Sequence, residues 1–443
     1  MRRLYEPMAY GAAPIADSFW PTTVHAIADH APLQGEVSAE VAVVGAGYTG
    51  LNAALALAEA GRNVVVLEAE QPGWGASGRN GGFCCLGGAK APASALMSRF
   101  GAVATRDYYQ TERAAVDHVA ALLDRYGIGA DTHSEGETLL AFRPKDIKGL
   151  QDLAEEMQRF HQVKCEVVAK PALAERGFAS PEFHGALTTP IGFALNPLKY
   201  VLGLARAVCA AGGRLFGGTP LIALSRDGDR HLLTTPGGQV RAKVLIVATN
   251  GYSSDDLPGW LAGRYLPVQS NVLVTRPLTE DELIAQGWTS RQMCYDTRHL
   301  LHYFRLMPDN RMLFGLRGAM KTTPAAHAET RARARADFER IFPEWRHVET
   351  PFFWSGLLAL ARDLVPYTGP VPGLENAWTA LCYHGNGVAM GSYAGRLLAA
   401  QITGQGPDTP APLRAGLRRF ELGRWRRALL PLAYTWYGLQ DRG

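Results

Sequence analysis

One stretch constrains the fold of this chain more than any other. Val41-Ala-Val-Val-Gly45-Ala-Gly47-Tyr48-Thr49-Gly50 leads, through a helical segment, to Val64-Val-Val-Leu67-Glu68. Val41 to Val44 is short, apolar and rich in β-branched side chains, so it reads as a buried strand. Gly45, Gly47 and Gly50 follow at G-x-G-x-x-G spacing. Leu51 to Ala60 then repeats its apolar residues at helical spacing until Gly61, and a second β-branched run closes on an acid.

Each part has a physical job. Gly45 makes the tight turn out of the strand. Gly47 lacks a Cβ, so a pyrophosphate can approach the backbone. Gly50 lets the helix lie close to the sheet, and the helix N-terminus offers free N–H groups to phosphate oxygens. Tyr48 and Thr49 fall inside this turn, and Ala69 directly follows Glu68. The Glu68 carboxylate can accept both ribose hydroxyls, and it would repel a 2′-phosphate, which argues against an NADP-type ligand. These residues predict a dinucleotide site, either FAD or NAD.

A chain of 443 residues exceeds one simple core, so two domains are expected. With 47% apolar and 19% charged residues, it has the composition of a soluble globular protein. No window resembles a membrane span, and Met1-Arg-Arg-Leu-Tyr-Glu-Pro has no signal-peptide core. The net charge of +4 is too small to imply a nucleic-acid partner. Cys84, Cys85, Cys165, Cys209, Cys294 and Cys382 show neither C-x-x-C nor finger-like spacing. They are expected to be reduced thiols, with no metal site, in a cytoplasmic protein.

Proline-dotted residues 1–37 are expected to wrap the first domain. Apolar, two-face-buried strands such as Lys243-Val-Leu-Ile-Val247 suit a parallel sheet. Residues 265–318 alternate, as an antiparallel sheet over a ligand would. The two kinds of strand alternate along the chain, so the domains should interleave. The expected division assigns 38–99, 185–260 and 350–405 to the nucleotide domain and 100–184 and 261–349 to a substrate domain. A basic helical tail takes 406–443.

The loop Gly73-Trp-Gly75-Ala76-Ser77-Gly78-Arg79-Asn80-Gly81-Gly82 follows the strand that Glu68 closes. Its glycines expose backbone N–H groups able to line a ring system or a diphosphate. With the opening motif, the strand Val244–Gly251 and the block Trp354–Ala400, this loop carries a resemblance. The chain resembles the FAD-dependent amine oxidoreductases of the D-amino-acid oxidase, glycine oxidase and sarcosine oxidase superfamily, and within it the γ-glutamylputrescine oxidoreductase branch. The resemblance implies an α/β fold: a Rossmann-like FAD-binding domain of the glutathione-reductase type, interleaved with an α+β substrate domain containing an antiparallel sheet. It also implies non-covalent FAD, since no cysteine lies between Trp354 and Leu381. By the same resemblance, Arg79 and Asn80 contact the flavin, Leu221 meets the adenine, and Ala248, Thr249 and Gly251 lie near the diphosphate. His384-Gly385-Asn386-Gly387-Val388-Ala389 would open the last helix beneath the N1–C2=O edge of the ring. A helix N-terminus there stabilises charge that builds on reduction.

Two departures bear on the substrate. The arginine that clamps an α-carboxylate in glycine-oxidase-like members is replaced by Leu358, and the lysine of sarcosine oxidases by Ala389. With no cation at either place, an α-carboxylate would be left unpaired in a buried pocket. The expected substrate is therefore an alkyl amine without an adjacent carboxylate, γ-glutamylputrescine-like. N-methyl or cyclic imino acids, as in sarcosine- or pipecolate-type enzymes, are the alternative. The implied reaction passes a hydride to flavin N5 and leaves an imine for hydrolysis, with oxygen or another electron acceptor to follow. Candidate catalytic residues are Tyr383 and His384 beside the flavin loop, and His302, Tyr303 and Arg305 on one alternating strand. Periodicity pairs His302 with Phe304 and Tyr303 with Arg305, without saying which face meets the flavin.

Arg414, Arg418, Arg419, Arg424, Arg426 and Arg427, with Phe420 and Trp425 between them, make the tail basic and aromatic. Docking on its own domain is the expected fate, with an anionic membrane surface as the alternative. Two other classes compete: an RNA-modifying flavoprotein, which the lack of a basic groove opposes, and an NAD-binding module without redox chemistry.

Overall fold

The valines of the opening stretch sit at the centre of an 8-stranded sheet, in parallel register with Val64–Leu67 on one side and Val244–Val247 on the other. The molecule is described by a computed structural model covering residues 1–25 and 29–441. Residues 26–28 of the N-terminal segment and 442–443 of the tail lie outside the described residues. The main strand order is Tyr367–Pro370, Ala377–Leu381, Gly238–Val247, Gly35–Val44, Val64–Leu67 and Arg214–Phe216. A hairpin of Ala223–Asp227 and Arg230–Thr234 branches from Gly238–Val247.

Both faces of this sheet are covered, which is why its strands read as unbroken apolar runs. Val41 and Val43 enter a core shared with the helices Tyr48–Glu59, Ala93–Arg125, Pro197–Ala210 and Ala389–Thr403. Ala42 and Val44 point the other way, onto Leu233, Tyr265 and Leu245.

The second sheet is also 8-stranded, in the order Phe352–Leu360, Leu266–Val274, Met312–Arg317, His302–Leu306, Met293–Asp296, Glu137–Ala141, Gly185–Thr189 and Glu166–Ala169. One face packs an aromatic core of Trp288, Phe304, Phe314, Phe338, Phe342 and Trp345 beneath the helix Pro324–Ile341. The other face looks toward the first sheet.

Three expectations about organisation are corrected. Strands Gly185–Thr189 and Phe352–Leu360 hydrogen-bond into the second sheet rather than the nucleotide sheet. The helix Ala93–Arg125 buries Tyr108, Ala115 and Val119 against the helices of the first domain, not within the substrate domain. A helix joins whichever core its apolar stripe meets, and sequence order does not report that. The N-terminal segment does more than wrap: Trp20 is buried, meets Trp354 edge to face, and donates its indole N–H to the Asn80 carbonyl at 3.0 Å.

The tail docks on the protein. Arg426 is buried and gives two hydrogen bonds to Asp255, and Arg427 pairs with Glu6. Its last helix, Leu429–Gln440, reaches the substrate sheet, where Asp441 accepts the His299 and Leu300 N–H groups. Among the described residues no helix is long and apolar enough to cross a membrane, and all six cysteines are free.

Candidate active site

A long cavity runs between the two sheets, enclosing about 2280 Å³ of atom-free space with the open solvent at its mouth included. One end is built by the opening motif. Gly45 sits at φ +106°, and a Cβ there would fall 2.8 Å from the Ala248 carbonyl oxygen. A Cβ on Gly47 would meet the Ser77 hydroxyl at 2.8 Å, and that hydroxyl accepts the Tyr48 N–H at 2.9 Å. Glu68 is enclosed at this end, its carboxylate accepting the Ala46 N–H at 2.7 Å and the Glu70 N–H at 3.2 Å. Burial raises its pKa, an effect these N–H groups oppose. Ala69, Leu221 and Thr249 line the same end.

The glycine-rich loop forms the middle of the wall. Asn80 ties it together, donating to the Ala76 and Ser77 carbonyls at 3.0 Å each and accepting the Gly82 N–H at 2.8 Å. Arg79 donates to the Trp74 and Ser355 carbonyls, yet its buried Nη2 has no partner. An unpaired guanidinium nitrogen in a cavity wall calls for an acceptor from a bound group. Gly75, Ala76 and Gly81 complete this wall.

The opposite wall is the loop Tyr383–Val388. Tyr383 donates its hydroxyl to Thr49 Oγ1 at 2.8 Å, and Thr49 donates to the Gly391 carbonyl at 2.8 Å, so the tyrosine braces two helices. His384 is fully buried. Its Nδ1–H donates to the Gly88 carbonyl at 2.6 Å and its Nε2 accepts the Ala361 N–H at 3.0 Å. Burial holds its pKa down at about 4, so the ring is neutral with both nitrogens occupied. It is a strut, and the expectation that it acts on the substrate is corrected. Gly385 to Val388 line the cavity and lead into the helix Ala389–Thr403, whose N-terminus faces it.

Strand register decides the rest. Tyr303 lies opposite Gly315 and Tyr295, and Ser270 lies opposite Arg317 and Gly356. Tyr295, Tyr303, Ser270, Arg317 and Leu358 all face the cavity, with Glu137. The Tyr303 hydroxyl is 3.0 Å from Ser270 Oγ, and a Cβ on Gly315 would fall 2.0 Å from its ring, so Gly315 makes room for it.

Two candidates from this strand are corrected. His302 turns the other way, stacking on Phe314 and pairing with Asp296 at 2.9 Å and Asp337 at 3.2 Å. Arg305 lies behind the glycine loop, where it donates to the Gly81 and Leu195 carbonyls at 2.8 Å each, with His133 Nε2 also at 2.8 Å. Burial pushes its pKa down to about 9. Four cofactor candidates also stand off the lining: Gly50, Gly82, Gly251 and Ala389 do not border the cavity. The first three press on backbone instead, at Gly45, Leu195 and Leu357.

Two cations that the sequence reading did not single out line the cavity. Leu358 and Ala389 are indeed apolar, but Arg317 and Lys90 both line the cavity. Arg317 ends an alternating strand on the Gly315 face, a signal that period-two reasoning could have used. Lys90 and Glu137 gave no such signal, because only chain packing brings the Gly87–Lys90 loop to this wall. Burial raises the Glu137 pKa to about 7, against the pull of Cys85 and Lys90.

This architecture fits a flavin dinucleotide, with an acid at the ribose end, unpaired N–H donors along the middle and a helix N-terminus at the far end. Residues 40–401 match the family described as DAO, FAD dependent oxidoreductase. The chain belongs to the DAO family of FAD-dependent oxidoreductases. It is 30% identical over 435 residues to γ-glutamylputrescine oxidoreductase of Escherichia coli (strain K12), covering 96% of this chain and 98% of that one. It is 26% identical to glycine oxidase of Pseudomonas aeruginosa, covering 85% of this chain and 98% of that protein. Among solved structures, glycine oxidase from Geobacillus kaustophilus shares the fold with a TM-score of 0.70 at 20% identity, covering 86% of this chain and 99% of that one. This DAO-family enzyme is thus an FAD-dependent oxidoreductase, and FAD supplies its two-electron acceptor.

Cys85 also lines the cavity, but burial holds its thiol well above the ordinary range, so it is protonated and a poor nucleophile. Acid or heat denaturation is expected to release all FAD into the supernatant. Yellow colour retained on the polypeptide would contradict non-covalent binding and direct attention to Cys85.

Proposed function

We propose that this DAO-family enzyme oxidises the C–N bond of an alkyl amine that has no carboxylate on the reacting carbon, a γ-glutamylputrescine-like compound. The observation that carries the reading is Leu358 in the cavity wall, at the position where the resemblance leads one to expect an arginine clamp. The full-length similarity to γ-glutamylputrescine oxidoreductase supports it. In the proposed reaction the amine carbon loses a hydrogen with its electron pair, which FAD accepts. The nitrogen loses a proton, and water hydrolyses the imine to aldehyde and amine or ammonia. Oxygen or another acceptor then takes the electrons.

In this reading the chain's own residues orient the amine and exclude water. Gly45, Gly47 and Glu68 would hold the adenosine half of FAD, while Arg79, Asn80 and the Gly385–Val388 backbone would hold its ring. Tyr295 and Tyr303 form the aromatic wall over the reacting amine. Catalysis comes from orientation and from the electrostatics of the loop and helix N-terminus.

A second reading, an N-methyl or cyclic imino acid substrate, draws on Arg317, which donates to the His384 carbonyl at 3.1 Å and so stands beside the flavin loop. Anaerobic bleaching of bound FAD by a panel of amines decides between them. Bleaching by γ-glutamylputrescine at least tenfold faster than by sarcosine, pipecolate, glycine or D-alanine is expected. The reverse order establishes the second reading.

A further inference from the structure

Two cationic side chains beyond the glycine loop line the cavity, Arg317 and Lys90. Arg317 is held by one arm, its Nη2 on the His384 carbonyl, while its buried Nε has no partner. Lys90 extends along the cavity wall with no carboxylate within ion-pair distance among the described residues. Arg317 is half-buried and Lys90 opens onto the cavity; desolvation by the surrounding protein, with repulsion from Arg317 in the case of Lys90, pushes their pKa values down. Two acids act on Lys90, Glu137 on strand Glu137–Ala141, which lines the cavity, and Glu112 on the helix Ala93–Arg125, and burial raises their pKa values to about 7 and about 8. The unpartnered Nε of Arg317 and the nearby Lys90 ammonium are donors that an anion arriving with the ligand would satisfy.

We infer that Arg317 and Lys90 together anchor an acidic group on the substrate's tail, replacing the clamp that is missing at Leu358. This rests on the amine-oxidation reading above and names the feature of the amine that the site selects. The two residues come from different elements, the end of strand Met312–Arg317 and the loop after the short strand Phe83–Cys84. A carboxylate between them satisfies the free guanidinium donors and the ammonium at once. Such charge-assisted contacts are about twice as strong as neutral ones.

The test compares two amines of equal length, N-glutarylputrescine and N-pentanoylputrescine, which differ by a carboxylate in place of a methyl group. The holoenzyme is expected to prefer the glutaryl compound in kcat/KM by at least about tenfold, roughly the weight of one charge-assisted contact. In Arg317→Gln and Lys90→Met that preference should fall toward unity, and Arg317→Lys should retain part of it. If both compounds lose activity equally and the preference survives, the cations serve the flavin rather than the substrate, and the inference is overturned.

Glutarate alone supplies a reading independent of turnover. It should perturb the bound-flavin absorbance with a saturable Kd in the wild type and bind at least tenfold more weakly to either neutral variant. Equal binding by all three proteins overturns the inference. Should neither amine bleach the flavin while glutarate still binds in this pattern, the amine reading fails and the anion anchor stands.

Discussion

Gly50→Val is expected to yield colourless protein. A Cβ at Gly50 would lie 1.9 Å from the Gly45 carbonyl oxygen and 3.2 Å from Val43 Cγ1. The obstacle is backbone, so relief requires moving the helix Tyr48–Glu59 off the sheet or opening the turn at Gly45. Overpacking of this kind costs about 3 kcal/mol. The displacement falls on the N–H groups that meet the pyrophosphate, so FAD affinity should drop by about a hundredfold if the same energy is drawn from binding. The ratio of flavin to protein absorbance after gel filtration checks this, with added FAD restoring colour only at high concentration. Stoichiometric FAD in the purified variant would refute the close-approach role of Gly50. Gly50 does not itself border the cavity, so the expected loss comes wholly through helix position.

The second large effect concerns His302. Its ring donates from both nitrogens, to Asp296 and Asp337, and Arg298 shares the Asp296 carboxylate. Burial acts against the charged ring, but the two carboxylates outweigh it and raise the pKa from 6.5 to about 9. Such a shift corresponds to roughly 3 kcal/mol of folding stability. The folded pKa lies above the unfolded value. The contribution is therefore complete below about pH 6.5 and fades as pH rises through 9. His302→Gln should lose about 3 kcal/mol at pH 6, because it leaves two enclosed carboxylates short of a cation, and the deficit should shrink toward pH 9.5. Urea unfolding at several pH values measures both. A deficit independent of pH would mean that the ring contributes packing on Phe314 and not charge. As His302 lies on the far side of the sheet from the cavity, KM for the amine should change little in the folded variant.

Much of the cofactor end was legible along the chain because its elements are contiguous. Strand, turn, helix and acid follow one another within Val41–Glu68, and each glycine's role depends on neighbours a few residues away. The glycine loop after Glu68 and the loop at His384 were also visible, each at the end of an apolar strand. Roles inside those loops were not. Along the chain Tyr383 and His384 are residues beside the flavin loop, yet one braces Thr49 and the other bridges Gly88 and Ala361, partners hundreds of residues away or on another element.

The substrate end shows the division most plainly. Alternation alone separated His302 and Phe304 from Tyr303 and Arg305, but both faces of that strand carry one aromatic and one cationic or titratable residue. Only pairing with Met312–Arg317, and the aromatic core on the opposite side, turned Tyr303 toward the cavity and His302 away from it. The sequence by itself determined a dinucleotide fold, the flavin-type loops and the absence of charge at positions 358 and 389. Tertiary structure alone decided that Lys90 and Glu137 join Arg317 at the cavity. Charges act through space over a few ångströms, and chain separation does not report which enclosed groups will lie within that distance.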